Sequence, residues 1–211
     1  MSERDTRPKR AKPRIRRGDT SPALRRLALR GNADAMWRLG EQRLYRSQTP
    51  KLGGAKSSTA LWWFRRAARS GNLEYQFQLG TMLIEGYGGL PVQLSRGIEL
   101  IRKAARKGHG GAQYQLGVYF GTGAGGLRRD RVESVKWYEK AAAQGNTMAM
   151  YNLAVAFSSA EAVKSMEKAR NWLVKGAKLG NLECLEWLSK CADTGELGFD
   201  VGSDLSKILK D

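Results

Sequence analysis

The chain offers few side chains able to make or break bonds. His109 is its single imidazole, and Cys184 and Cys191 are its only thiols. One histidine leaves little choice of general base for a serine or cysteine nucleophile, and there is no Gly-x-Ser-x-Gly elbow. Zinc needs three or four converging ligands, and the lone imidazole stands far along the chain from both cysteines. Glu183 and Glu186 are three residues apart, a spacing that a solvated helix face explains. Gly121-Thr-Gly-Ala-Gly-Gly126 has backbone N–H groups that could approach a phosphate. However, no strand precedes it and no Lys-Ser/Thr follows it, as nucleotide-binding loops require. The segment Trp137-Tyr-Glu-Lys-Ala-Ala-Ala-Gln-Gly-Asn146 puts an aromatic pair, a carboxylate and a lysine within one short stretch. The expectation from these residues is a chain with no catalytic residue, no cofactor and no metal.

Cysteine spacing and charge bound the setting. Cys184 and Cys191 fall on one predicted helix, where a rise of about 1.5 Å per residue sets their Cα atoms about 10 Å apart, too far for a disulfide. Two unpaired core thiols fit a reducing, cytoplasmic compartment. No apolar run reaches the roughly 20 residues that span a bilayer, and no apolar stretch follows the charged N-terminus as a Sec signal would need. The formal net charge is +17, and residues 1–30 hold eleven Lys/Arg against three acids, so nearly half the excess lies in a seventh of the chain.

The elements that would position any site come from a repeat. Gly31, Gly71, Gly108, Gly145 and Gly180 recur at spacings of 40, 37, 37 and 35 residues, all but Gly108 followed by Asn. Eight residues after each stands Leu39, Leu79, Leu116, Leu153 or Leu188, and six after the first four stands Trp37, Phe77, Tyr114 or Tyr151. Counting back from the next glycine, small pairs recur as Ala67-Ala68, Ala104-Ala105, Ala141-Ala142 and Gly176-Ala177, preceded by Trp63, Leu100, Trp137 and Trp172. Two apolar stripes at helical spacing, separated by a polar or glycine-rich turn, make an α-hairpin of roughly 36 residues. A hairpin that cannot bury its stripe alone stacks on its neighbours. The fold class predicted is therefore all-α, an α/α solenoid of stacked antiparallel helix pairs. The small pair and the Trp or Leu a turn earlier are expected in the seam, Gly at a helix C-terminus and Asn capping the next helix.

This pattern resembles the Sel1-like repeat, a relative of the tetratricopeptide repeat. Residues 108–145 carry it best, through Leu116-Gly117, Tyr119-Phe120, Gly121–Gly126, Asp130, Trp137-Tyr138 and Lys140-Ala141-Ala142. The likeness covers residues 24–192. The first copy departs by a long loop at Arg46–Thr59, the fourth replaces its glycine loop with Ser158–Ala162, and the fifth is a first helix alone. The chain divides into a disordered basic tail (1–20), a repeat solenoid (21–195) that opens on a half repeat at Ser21-Pro22, and a linker with a short capping helix (196–211).

By likeness to tetratricopeptide geometry, the first helices line a concave face. That implies partner contact through Trp37, Glu41, Phe77, Thr81, Tyr114, Val118 and Tyr151. The second helices carry Arg66, Lys103, Lys140 and Lys175 on an outer face. The tail residues Arg7, Lys9, Arg10, Lys12, Arg14, Arg16 and Arg17 would add electrostatic attraction to an acidic surface. The function expected is a non-enzymatic adaptor for a protein partner. The alternative is non-specific RNA or DNA association through the tail and the basic N-terminal units, with no aromatic in the tail to stack a base.

Overall fold

The computed structural model describes residues 22–47, 55–159 and 165–194, and among them every regular element is helical. The tail 1–20 with its seven basic residues, and the expected linker and capping helix at 196–211, lie outside the described residues. The helices fall into two compact units that part between Ser70 and Gly71.

The first unit contains α1 (Pro22–Leu29), α2 (Ala33–Ser47) and α3 (Ala55–Ala68). Pro22 takes the first helical position, where its missing N–H costs nothing. The expected loop at Arg46–Thr59 is shorter than its composition suggests, because α2 runs to Ser47 and α3 begins at Ala55. In this unit Leu24, Ala28, Ala35, Met36, Trp37, Phe64 and Ala67 are buried.

The second unit contains three pairs and a last single helix: α4 (Leu73–Glu85) with α5 (Leu94–Arg106), α6 (Gly110–Thr122) with α7 (Arg131–Ala142), α8 (Thr147–Ser159) with α9 (Met166–Lys178), then α10 (Leu182–Thr194). Partners within a pair pack along their lengths, and α5 on α6, α7 on α8 and α9 on α10 carry the stack forward. The recurrent leucines are its keel: Leu79, Leu116, Leu153 and Leu188 are at most 1% exposed. Each such burial contributes about 1.5–3 kcal/mol. In the first unit Leu39 is only half-buried.

The Gly-Asn step explains how one helix ends and the next begins. At Gly145, φ is +83°, its N–H donates to the Ala142 carbonyl, and the Asn146 N–H donates to Ala141, the paired bonds of a Schellman ending. The side chain of Asn146 then accepts from the Ala149 N–H at 2.9 Å, opening α8. Asn32, Asn72 and Asn181 cap α2, α4 and α10 in the same way. The carbonyls of the small pairs receive these turns, and their short side chains are buried.

Small residues inside the first helices set the spacing within a pair. A methyl group on Gly40 would collide with the Phe64 ring, on Gly80 with Ile101 and the Gly97 carbonyl, and on Gly117 with the Tyr138 ring. The residue in the seam is therefore the one seven before the next glycine, Phe64, Ile101, Tyr138 or Leu173, each at most 7% exposed. This corrects the expected register by one residue. Leu100, Trp137 and Trp172 are half-buried, and the Lys140 ammonium lies 4.3 Å from the Trp137 ring, that of Lys175 4.8 Å from Trp172. The tryptophans sit at the solvent boundary beneath lysine heads that stay in water. Trp63, whose neighbour Trp62 takes the exposed place, is buried as expected.

Candidate functional site

The first helices of the second unit present a row of partly exposed aromatic and β-branched side chains. Phe77 and Thr81 come from α4, Tyr114 and Val118 from α6, and Tyr151 from α8, all half-buried. Each ring is braced by another from the following helices. Phe77 lies 5.1 Å from the His109 imidazole, Tyr114 6.0 Å from Tyr138, and Tyr151 5.8 Å, edge-on, from Trp187 of α10. Met148 and Val155 of α8 extend the apolar surface and are exposed. Half of each ring packs inward on the core and half remains reachable. Two-torsion rings fixed this way lose little entropy when a partner covers them. Thr81 donates its hydroxyl to the Phe77 carbonyl, so it stiffens α4 instead of offering a free donor.

The two expected contacts in the first unit fare differently. Trp37 is 5% exposed and packs against Phe64 at 4.5 Å between ring centroids, which makes it a core residue of its unit. It meets the Phe64 ring over Gly40 as Tyr114 meets Tyr138 over Gly117, but is closed off from solvent where Tyr114 is half-buried. Glu41 is exposed on α2.

His109 has a structural role that the sequence hid behind its rarity. It stands where the other units have Asn, and its Nδ1 accepts from the Ala112 N–H at 3.1 Å, capping α6. An accepting Nδ1 puts the proton of the neutral ring on Nε2, 2.9 Å from Glu74 Oε2. One imidazole thus caps α6, braces Phe77 and ties back to α4. Among the described residues no three His, Cys, Asp or Glu side chains converge as a metal would require.

The other candidates resolve into structure. Gly123 (φ +80°) ends α6, and Ala124–Gly126 forms a short 3-10 turn that repeats the turn at Tyr87–Gly89. Cys184 and Cys191 are both buried, the Cys184 Sγ lying over Gly176. Burial pushes the Cys184 thiol up to about 11, with the Glu183 charge adding to it, so it is a poor nucleophile. Glu183 and Glu186 are exposed on α10. No described helix is long and apolar enough to cross a membrane.

Comparison with known proteins follows the same register. The Sel1 repeat profile matches residues 33–72, 73–109, 111–146 and 147–181, each match opening at or one residue inside a first helix. The chain belongs to the Sel1 repeat family. Sel1 repeat proteins generally mediate protein–protein interaction. Among solved structures, the chain is similar to a protective antigen of uropathogenic Escherichia coli displaying an SLR fold, at 31% identity and a TM-score of 0.70. That match covers 82% of this chain but 36% of the antigen, so the chain spans about a third of that protein's length. A Sel1 repeat protein from Oxalobacter formigenes has the same fold at 23% identity and a TM-score of 0.69, covering 89% of this chain and 75% of the other. No protein of curated function matches the chain.

Nothing in the spacing marked Tyr138, Trp187 or His109 as the braces of the Sel1 face. Tyr138 stands seven residues before Gly145 and Trp187 seven after Gly180, each one place off the positions at which the repeat recurs. The available signal was the recurring Gly40, Gly80 and Gly117, each of which requires a large side chain opposite it.

Proposed function

We propose that this Sel1 repeat chain is a non-catalytic docking module that holds a protein partner against the first-helix face of α4, α6 and α8, the expected concave face. The observation that carries the reading is the braced row Phe77, Tyr114 and Tyr151, extended by Val118 and exposed Val155. Half-exposed aromatics held by neighbours are the side chains that dominate protein interfaces, because they exclude water over a large area at low entropic cost. The basic tail 1–20 adds electrostatic attraction and raises the rate of encounter with an acidic surface. The two buried cysteines fit a cytoplasmic setting.

The test places a photo-crosslinking residue at position 151 in one variant and at exposed Lys140 of α7 in another, in cells that make the full chain. A discrete protein adduct from position 151, absent from position 140, supports the face. Tyr151→Ala should then lower capture of that protein about tenfold, the scale of an interface hot spot. Equal adducts from both positions would refute it.

A further inference from the structure

Helix α5 and the turn Ala124–Gly126 bound a cavity of about 880 Å3 lying within the second unit. Its floor is apolar, from Leu94 and Ile98 of α5 and from Leu127 after the turn. Its wall is cationic. Arg102, Lys103, Arg106 and Lys107 line it against the single carboxylate of Glu99, an excess of three positive charges. Arg102 is steered by the Phe120 ring, 5.9 Å from its guanidinium carbon.

None of these four cations has a carboxylate partner among the described residues, whereas Lys136 on α7 holds Glu133 at 2.6 Å. Arg102 with Arg106 and Lys103 with Lys107 put like charges one helical turn apart at the end of α5, where they repel. An anion in the cavity would relieve that repulsion. The turn packs closely on the floor: Gly125 has φ of +66° and a methyl group there would strike Ile98 Cδ1 at 2.9 Å.

We propose that this cavity docks an acidic peptide segment of a partner protein, its carboxylates on the Arg102–Lys107 wall and an apolar side chain on the Leu94, Ile98 and Leu127 floor. The lining has no aromatic ring on which a nucleobase could stack. The cations are spread over two turns and mostly exposed, which suits a chain of carboxylates more than one enclosed phosphate. This docking site does not rest on the aromatic row.

The probe is a fluorescein-labelled octapeptide alternating Glu and Leu, titrated by anisotropy into the full chain. Lys103→Glu with Arg106→Glu should weaken it about tenfold. Arg25→Glu with Arg26→Glu on α1, the same change in net charge, should move it less than about twofold. If the reversed pair alters the circular dichroism melt, Lys103→Gln with Arg106→Gln serves instead, with a loss of about threefold. A matching Glu–Ser peptide should bind more weakly, and Tyr151→Ala should leave the octapeptide affinity unchanged. Equal losses in the α5 and α1 variants would overturn the proposal, reducing it to net charge. So would a Glu–Ser peptide that binds as well, or a single-stranded oligonucleotide that binds more tightly than the octapeptide and loses affinity in the α5 variants.

Discussion

The Cα of Gly117 lies against the ring of Tyr138, with no room between them for a methyl group. Ser134, one turn earlier on α7, donates its hydroxyl to the Gly117 carbonyl at 2.7 Å, so the same point of α6 is held by a ring and a hydrogen bond. Helices α6 and α7 are thereby locked at a distance that only glycine permits.

Gly117→Ala should therefore destabilise by overpacking, by about 1–3 kcal/mol. Gly145 offers the contrast: a methyl group there meets nothing within 4 Å, but its φ of +83° disfavours any other residue. Gly145→Ala should cost about 1 kcal/mol, through backbone strain alone. Urea denaturation of both variants separates the two mechanisms, and Tyr138→Ala should recover part of the loss in Gly117→Ala but none in Gly145→Ala.

The capping role of His109 predicts that His109→Asn is nearly neutral for helix α6, since Asn caps the equivalent helices at Asn32, Asn146 and Asn181. His109→Ala should cost about 0.5–2 kcal/mol. Thermal melts at neutral pH test both, and His109→Asn should in addition loosen Phe77, read from the chemical shifts of its ring.

Desolvation by burial pushes the Tyr138 phenol up to about 12 from an ordinary 10.0, against a smaller opposing effect of Ser134. The folded state holds the neutral phenol, so its contribution is whole below pH 10 and is lost as pH rises from 10 toward about 12. The stability difference between the native chain and Tyr138→Phe should change by on the order of 2 kcal/mol against the native chain across that window. Chemical denaturation at a series of alkaline pH values measures it.

Burial also withdraws the thiols. Cys184 and Cys191 should resist a thiol-specific reagent in the folded chain at neutral pH and react together in denaturant. Reaction of one at the rate of a free thiol without denaturant would show that α10 opens locally.

How much of this was legible beforehand depended on which glycine the reading was counted from. The Gly-Asn steps, the leucine keel and the small pairs follow from local rules, since a left-handed turn, a cap and a close helix contact each name their residues. The helix pairs and the family could thus be read directly. The identity of the inward ring could not, because Trp137 and Tyr138 are both aromatic neighbours and only the place of Gly117 across the pair decides between them. The same holds for Trp37, whose burial against Phe64 depends on a helix that begins beyond the first copy's long connection. The cations of α5 read as a solvated face until the turn after α6 sets Gly125, Gly126 and Leu127 beside them to bound a cavity.

The shared Gly-Asn step has a consequence for what lengths of chain the fold tolerates. Because Asn146 both terminates α7 and starts α8, a residue inserted between Gly145 and Asn146 would break the bonds that close α7 and shift the step from which α8 starts. Within a pair the connections Gly86–Gln93 and Gly123–Asp130 are longer, and the tie is made at their far end, where the Asp130 N–H donates to the Phe120 carbonyl and its carboxylate accepts from the Glu133 N–H. New sequence can enter the second unit inside those longer connections, ahead of Gln93 and Asp130, whereas the steps at Gly108, Gly145 and Gly180 hold their length.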